Sequence, residues 1–129
     1  MFKRFIEWVF AKIIIDKRIR HLQLKQGEVH WCALGENIGD EENGKGEIFR
    51  RPVLIFKKFN NNIFWGIPLS TQNKDNRYYV KINVKGSIRS AMISQLRILD
   101  TKRLDEYVGY ISKIDFVKIQ IQIINIIWK

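Results

Sequence analysis

The chain has 129 residues, 46% of them hydrophobic and 12% aromatic, and a formal net charge of +10. This length and composition indicate one folded domain with a single core, and they argue against a disordered chain. The single cysteine, Cys32, and only two histidines argue against a disulfide framework and a metal site, so we expect no metal and no cofactor. The positive charge favours polyanionic partners, either nucleic acid or anionic lipid.

The amino-terminal segment predicts an amphipathic helix, because its apolar residues recur at three- and four-residue spacing. Glu7 and Lys12 interrupt the apolar run and no small-residue cleavage site follows, so we expect neither a signal peptide nor a membrane-spanning segment. We expect the apolar stripe to dock on the domain core. The alternative is a cationic helix on a membrane surface. The stripe consists of Phe2, Phe5, Ile6, Val9, Phe10, Ile13 and Ile14.

From Gly27 onward, short β-branched and aromatic runs alternate with Gly, Asn, Asp and Ser, a pattern typical of antiparallel strands. These runs predict a sheet that curls into a small barrel. The asparagines in KKFNNNIF predict a hairpin turn, since asparagine tolerates left-handed backbone conformations. The predicted strands are EVHWCAL (28–34), PVLIFKKF (52–59), NIFWGIPL (62–69), RYYVKINV (77–84), AMIS (91–94) and QLRIL (95–99).

The carboxyl-terminal segment is ambiguous, because KIQIQII (118–124) alternates with period two as a strand would. Ser112 and Asp115 approximate a capping box, however, and favour a C-terminal helix. We therefore predict an α+β, mainly-β chain with a helix at each end. The helical stripe consists of Ile114, Val117, Ile121, Ile124 and Trp128.

The segment GDEENGKG, from Gly39 to Gly46, nearly matches the phosphate-binding loop G-x-x-x-x-G-K-[ST]. Gly46 occupies the place of the hydroxyl residue that would hold magnesium, and Pro52 directs the following residues into a strand rather than a helix. We interpret the segment as a mobile polar loop.

Two arginines open the second predicted strand and two hydroxyl residues end the third. If the hairpin joins these strands, Arg50 and Arg51 lie beside Ser70 and Thr71. A guanidinium grips a phosphate through two hydrogen bonds and a hydroxyl adds another, so the grouping favours chemistry at phosphorus. The alternative is that the arginines protect a sheet edge and that the hydroxyls belong to a simple turn.

Three blocks resemble, in order, those of the MazF/PemK-like toxins of bacterial toxin-antitoxin systems. They are GEVHWCALGENIGDEENGKGEIFRRPVLIF, WGIPLSTQNK and SAMISQLRILDTKRL. The resemblance implies an SH3-like antiparallel β-barrel over residues 27–129, usually dimeric. It also implies an N-terminal helical extension over residues 1–26, which a subset of the family carries.

The resemblance implies a cytoplasmic endoribonuclease toxin that cuts single-stranded RNA without a metal. The 2′-hydroxyl would attack its neighbouring phosphate and leave 2′,3′-cyclic phosphate and 5′-hydroxyl ends. A homodimer and an inhibitory acidic antitoxin are implied as well. A non-catalytic module that binds RNA or a peptide is the alternative.

By position, Arg51 matches the catalytic arginine of the family and Ser70 its catalytic threonine, with Thr71 adjacent. Some relatives place an arginine and an aspartate, used as acid and base, where this chain has Met92 and Ser94. The expected RNA-binding residues are Arg50, Gln72, Lys74, Gln95 and Arg97. We expect no more than one base-stacking residue among Trp31, Trp65, Tyr78 and Tyr79.

Overall fold

The computed structural model describes residues 4–19, 23–39, 41–45, 49–72 and 74–128. The predicted mainly-β fold with a helix near each end is confirmed. Two short 3₁₀ turns precede and follow the sixth strand. The elements are α1 (Phe5–Asp16), β1 (Glu28–Ala33), β2 (Arg50–Lys58), β3 (Ile63–Ser70), β4 (Tyr79–Val84), β5 (Ser87–Met92), β6 (Arg97–Asp100), β7 (Leu104–Tyr110) and α2 (Lys113–Trp128).

The strands form one antiparallel sheet in the order β4-β5-β3-β2-β1-β7, with β6 also paired to β3. The first part of β3 pairs with β6, and its last residues, Leu69 and Ser70, pair with β5. Because β4 and β7 remain at the two ends, the sheet is not closed into a complete barrel. The sequence patterns missed β7, whose partner is the distant β1.

The predicted β2–β3 hairpin is confirmed, but its turn works differently from the expectation. Asn60 Oδ1 accepts hydrogen bonds from the backbone nitrogens of Asn62 and Ile63, at 2.7 and 2.9 Å. None of Asn60, Asn61 and Asn62 has a positive φ. The turn therefore depends on a side-chain acceptor, and the expectation of left-handed asparagines was wrong.

Helix α2 is confirmed, and the backbone nitrogen of Asp115 donates to Ser112 Oγ at 3.1 Å, as a helix cap requires. The face of α2 that packs against the sheet is not the stripe noted in the sequence. Ile119 is fully buried, and Phe116 stacks on Phe56 with 5.4 Å between ring centroids. The predicted stripe instead faces outward, since the helix is apolar on two faces and the sheet covers the other one. Its exposed members are Ile114, Val117, Ile121, Ile124 and Trp128.

Helix α1 also docks through a different face from the predicted one. Trp8 and Ile15 are buried, in one cluster with Ala33 and Phe49. A Cβ on Gly35 would lie 2.0 Å from the Trp8 ring, so this glycine makes room for the indole. In the described part of the chain, no helix is long and apolar enough to cross a membrane. The predicted stripe is exposed at Phe5, Ile6, Val9, Phe10, Ile13 and Ile14, and Phe2 lies outside the described residues.

Candidate active site

A small polar cavity of about 100 Å³ lies where β2 begins and β3 ends. The register Val53↔Pro68 places Arg51 of β2 across from the last residues of β3. The structure thus brings together four of the predicted site residues with Tyr79 and Met92, which the sequence analysis also named, and it adds Glu42 and Lys45. The cavity is lined by Arg51, Ser70, Gln72 and Lys74, together with Glu42, Lys45, Tyr79 and Met92.

The Arg51 side chain is only 11% exposed and is held from three directions. Its Nε donates to the backbone oxygen of Asn43 at 2.9 Å, and Nη1 donates to that of Leu69 at 3.2 Å. Its Nη2 lies 2.6 Å from Glu42 Oε1 in an ion pair. The guanidinium is therefore oriented before any ligand arrives, which lowers the cost of binding an anion.

The loop between β1 and β2 carries Glu42, and hydrogen bonds hold its described part against the rest of the domain. Asn37 Nδ2 donates to the Glu42 backbone oxygen at 2.7 Å, and the Glu42 backbone nitrogen donates to Gln95 Oε1 at 3.2 Å. A Cβ on Gly44 would lie 1.6 Å from the Phe49 backbone oxygen, so glycine is required there. Gln95 consequently supports the loop that presents Glu42.

Phe49, immediately before the arginine pair, has φ of +56° although it is a bulky residue. This conformation is strained, and it persists because the side chain is buried against Trp8, with 5.4 Å between ring centroids. The strained turn sets the direction in which β2 begins.

The hydroxyl of Ser70 accepts a hydrogen bond from the Gln72 backbone nitrogen at 3.1 Å. The hydroxyl can therefore still donate its own hydrogen to an oxygen of a ligand. Thr71 is exposed in the same turn and is not among the residues that line the cavity. Ser70 is thus the better placed of the two hydroxyl residues.

Three of the expected RNA-binding residues, Arg50, Gln95 and Arg97, do not line the cavity. Arg50 lies over the Trp31 ring, with Cζ 4.9 Å from its centroid, and its Nη1 is 3.6 Å from Glu106 Oε1. Burial, and then the nearby Arg97 cation, lower the pKa of the Arg103 guanidinium. Neither arginine lines the cavity that holds Arg51.

Cys32 is fully buried next to the site, where it pairs with Arg51 in the β1–β2 register. Burial raises the pKa of its thiol to about 12, although the nearby cations of Arg103 and Arg97 oppose this rise. The thiol therefore stays protonated and is no nucleophile near neutral pH. Among the described residues, metal-ligating side chains form no group of three or more.

Of the four aromatic residues considered for base stacking, only Tyr79 lines the cavity. Trp31 packs under Arg50, and Trp65 makes an edge contact with Phe59 at 5.0 Å between centroids. Tyr78 is exposed beside Arg77.

Sequence reasoning missed Glu42 and Lys45 as residues of the cavity. Glu42 belongs to an acidic run that, by itself, predicts repulsion of phosphate. Its pairing with Arg51 depends on the path of a long loop, for which the sequence contains no spacing signal.

The fold and the cavity define a small, mainly-β protein with an oriented arginine at paired strand ends. Residues 25–127 match the family of PemK-like, MazF-like toxins of type II toxin-antitoxin systems. The chain belongs to this family. Its members are endoribonucleases, so the protein is classed with the RNA-cleaving toxins.

Solved structures share the fold. MazF from Deinococcus radiodurans (Form-I) has a TM-score of 0.67 and 15% identity, over 84% of this chain and 100% of that one. An endoribonuclease from a mycobacterial species, solved with its cognate antitoxin, has a TM-score of 0.62 and 16% identity, over 80% of this chain and 93% of that one. No significant match is found among curated proteins.

Proposed function

We propose that this toxin is a metal-independent endoribonuclease that cuts single-stranded RNA at the Arg51 cavity. The ribose 2′-hydroxyl attacks the adjacent phosphate, so the 2′-oxygen–phosphorus bond forms and the bond to the 5′-oxygen breaks. The attacking hydroxyl loses its proton and the departing oxygen gains one. The products are a 2′,3′-cyclic phosphate and a 5′-hydroxyl. The observation that carries this proposal is the oriented Arg51 guanidinium in one cavity with the Ser70 hydroxyl.

Arg51 and Ser70 stabilise the charge that builds on the phosphate oxygens in the transition state. The guanidinium offers permanently charged donors in a fixed fork, and the hydroxyl offers one more. The charged guanidinium, oriented in advance toward such charge, contributes roughly 3 kcal/mol, and the neutral hydroxyl contributes about half as much. Lys45 and Lys74, at the same cavity, add positive potential that attracts the substrate.

Glu42 accepts the proton of the 2′-hydroxyl in this proposal. It is the one carboxylate among the described residues that line the cavity, and it lies 2.6 Å from Arg51 Nη2. A phosphate that binds the guanidinium displaces this carboxylate from the ion pair and leaves it beside the attacking ribose. Glu42 thereby supplies the function that an aspartate has in some relatives, where this chain has Ser94.

The other site residues that were predicted from the sequence differ in their proposed roles. Gln72 and Lys74 contact the RNA at the cavity, and Gln95 positions the loop that carries Glu42. Arg50 and Arg97 are proposed to contact nucleotides farther from the cut, because their side chains lie outside the cavity. Thr71 is a secondary candidate for the catalytic hydroxyl.

The first test incubates the purified protein, free of antitoxin, with a long unstructured RNA in EDTA, beside Arg51→Ala and Ser70→Ala. We expect discrete cuts with cyclic-phosphate ends that disappear in Arg51→Ala. Several RNAs that together contain every short sequence motif are used, so that a missing cut site is not mistaken for inactivity. Intact RNA in all of them, or cuts that persist in Arg51→Ala, would overturn the proposed chemistry.

A non-catalytic module that binds RNA or a peptide is the second candidate. It is supported by the Glu42 carboxylate, which occupies one side of the Arg51 fork, and by Met92 and Ser94 in place of the acid and base of some relatives. A binding module would retain labelled RNA intact, whereas the enzyme releases shorter products.

The proposed partners follow from charge and from exposed apolar surface. An acidic antitoxin segment laid over the cavity would block RNA, and the net charge of +10 supports such a partner. The mycobacterial relative was solved with its cognate antitoxin. The exposed apolar face of α1 and the exposed end of α2, at Ile124 and Trp128, support a homodimer. We further propose that the protein acts in the cytoplasm and that residues 1–26 are a helical extension of the 27–129 domain.

A further inference from the structure

A second, larger depression lies beside the catalytic cavity. It has a volume of about 450 Å³ and runs between β4 and α2, and we name it the β4–α2 groove. Lys81 of β4 lies on one wall, and Lys118 and Ile121 of α2 lie on the other. The groove is open to solvent along its length, since Lys81 and Ile121 are both exposed.

The groove and the catalytic cavity meet at a shared pair of residues. Lys74 and Tyr79 line both of them, and Lys74 Nζ lies 5.3 Å from the Tyr79 ring centroid. The two depressions are therefore adjacent, and a polymer that leaves the Arg51 cavity on this side can continue into the β4–α2 groove.

The groove is predominantly cationic. Three lysines, Lys74, Lys81 and Lys118, line it against one carboxylate, Asp75. Lys118 Nζ donates to the Lys81 backbone oxygen at 3.0 Å and lies 3.6 Å from an Asp115 carboxylate oxygen, which leaves a further donor on the ammonium. Within the described part of the chain, neither Lys74 nor Lys81 forms an ion pair.

Groups that suit nucleobases lie among these cations. Gln122 Nε2 donates to the Arg77 backbone oxygen at 2.7 Å, which leaves the amide oxygen as an acceptor. Asn76 Oδ1 accepts from the Tyr78 backbone nitrogen at 2.9 Å, which leaves the amide nitrogen as a donor. Ile121, 54% exposed, is an apolar surface at the same depression.

We propose that the β4–α2 groove binds the nucleotides of single-stranded RNA that flank the cut phosphate. Lys81 and Lys118 hold backbone phosphates, and a base packs against Ile121. This inference rests on the proposed RNA cleavage at the Arg51 cavity. The groove suits RNA better than an acidic peptide, because it continues from the phosphate cavity and combines ammonium groups with amides and an aromatic ring.

The test measures the affinity of full-length protein for a labelled 20-nucleotide single-stranded RNA as salt is varied. Each phosphate contact on single-stranded nucleic acid contributes about 0.7 to the slope of log affinity against log salt. The double variant Lys81→Gln/Lys118→Gln should therefore lose about 1.4 from this slope, and bind about tenfold more weakly in dilute salt. Lys57→Gln, an exposed lysine that lines neither cavity, should change neither quantity.

The outcomes separate the two proposals. If the wild-type protein cuts RNA but the double variant keeps its affinity and salt slope, the groove proposal fails and the cleavage proposal stands. If the double variant shows the expected loss of slope but the wild-type protein never cuts the RNA, the cleavage proposal fails alone. If the double variant loses affinity for a glutamate-rich peptide but not for RNA, the groove is a protein site and the inference is overturned.

A crosslinking experiment covers the case in which the variants fold poorly. Wild-type protein is irradiated with RNA that carries 4-thiouridine at successive positions on either side of the cut. We expect crosslinked peptides from β4 and from the middle of α2, residues 118–122, at one set of flanking positions. Crosslinks confined to other parts of the chain would refute the groove as the path of the RNA.

Discussion

Arg50 and Arg51 are identical neighbours on one strand, yet they occupy different chemical environments. Arg51 is 11% exposed and paired with Glu42 in the polar cavity, whereas Arg50 lies over the Trp31 ring beside the exposed Glu106. Successive side chains of a strand point to opposite faces of the sheet, so one step along β2 separates them. The comparison shows that the position on the sheet face, and not the residue type, selects the candidate catalytic arginine.

The largest expected effect comes from removing each arginine in turn. Arg51→Ala should lower the rate of RNA cleavage about 100- to 1000-fold, because it removes oriented donors from the transition state. Arg50→Ala removes a half-exposed ion pair and a ring contact, and should change the rate by no more than about fivefold. Single-turnover cleavage measures both. Equal losses of cleavage rate in the two variants would mean that Arg51 is not catalytically distinct from Arg50, although the two side chains lie on opposite faces of β2.

The next effect concerns the carboxylate that faces Arg51. Glu42→Gln should slow cleavage about 100-fold, as expected when a general base is lost. Its RNA affinity should stay the same or rise, since an uncharged amide competes less with phosphate for the guanidinium. The matched control is Glu41→Gln, because Glu41 is the adjacent glutamate of the same loop and does not line the cavity. Its carboxylate instead accepts a hydrogen bond from the Ile38 backbone nitrogen at 3.0 Å. Faster cleavage by Glu42→Gln would show that Glu42 only blocks the site.

A smaller effect distinguishes the two hydroxyl residues that end β3. Ser70→Ala removes one hydrogen-bond donor from the cavity and should slow cleavage about tenfold. Ser70→Thr retains the hydroxyl and should stay closer to the wild-type rate. Thr71→Ala should have little effect, because Thr71 is exposed and does not line the cavity. If Thr71→Ala is the slower variant, the catalytic hydroxyl has been assigned to the wrong residue.

The last prediction concerns Cys32, which pairs with Arg51 across the β1–β2 ladder. Burial raises the pKa of its thiol from 9.0 to about 12. The unfolded chain therefore releases this proton at lower pH than the folded protein does. Between pH 9 and about pH 12, the Cys32 thiol should therefore lower the free energy of unfolding by about 1.4 kcal/mol per pH unit. Below pH 9 its contribution is constant.

Denaturant titrations of wild type and Cys32→Ala at several alkaline pH values isolate this contribution. The difference between the two unfolding free energies should shrink as the pH rises above 9. Thiol reagents at pH 8 should leave folded wild-type protein unlabelled. Rapid labelling of the native state would indicate a reactive thiol next to Arg51.

The helices show why the sequence alone could not assign every contact. Both helices were predicted from apolar periodicity, and both exist, yet each predicted stripe faces outward. Apolar residues surround much of each helix. The three- and four-residue spacing therefore fits two faces that are about equally apolar, and it cannot decide which one is buried. Trp8 and Ile119 are buried because Gly35 and the sheet leave room for them, and this room depends on residues distant in the chain.

Local chemistry determined much of this protein directly from its sequence. Alternation and turn residues placed five of the strands and the β2–β3 hairpin, and this hairpin brings Arg51 beside Ser70. The predicted strand AMIS was wrong for its second half, because it overlaps β5 only at Ala91 and Met92 and continues into a 3₁₀ turn. Only the tertiary structure decided which side of each helix is buried, where β7 pairs, and that Glu42 reaches Arg51. These features depend on packing and on the path of a long loop between distant residues, whereas periodicity and turn chemistry describe only neighbours along the chain.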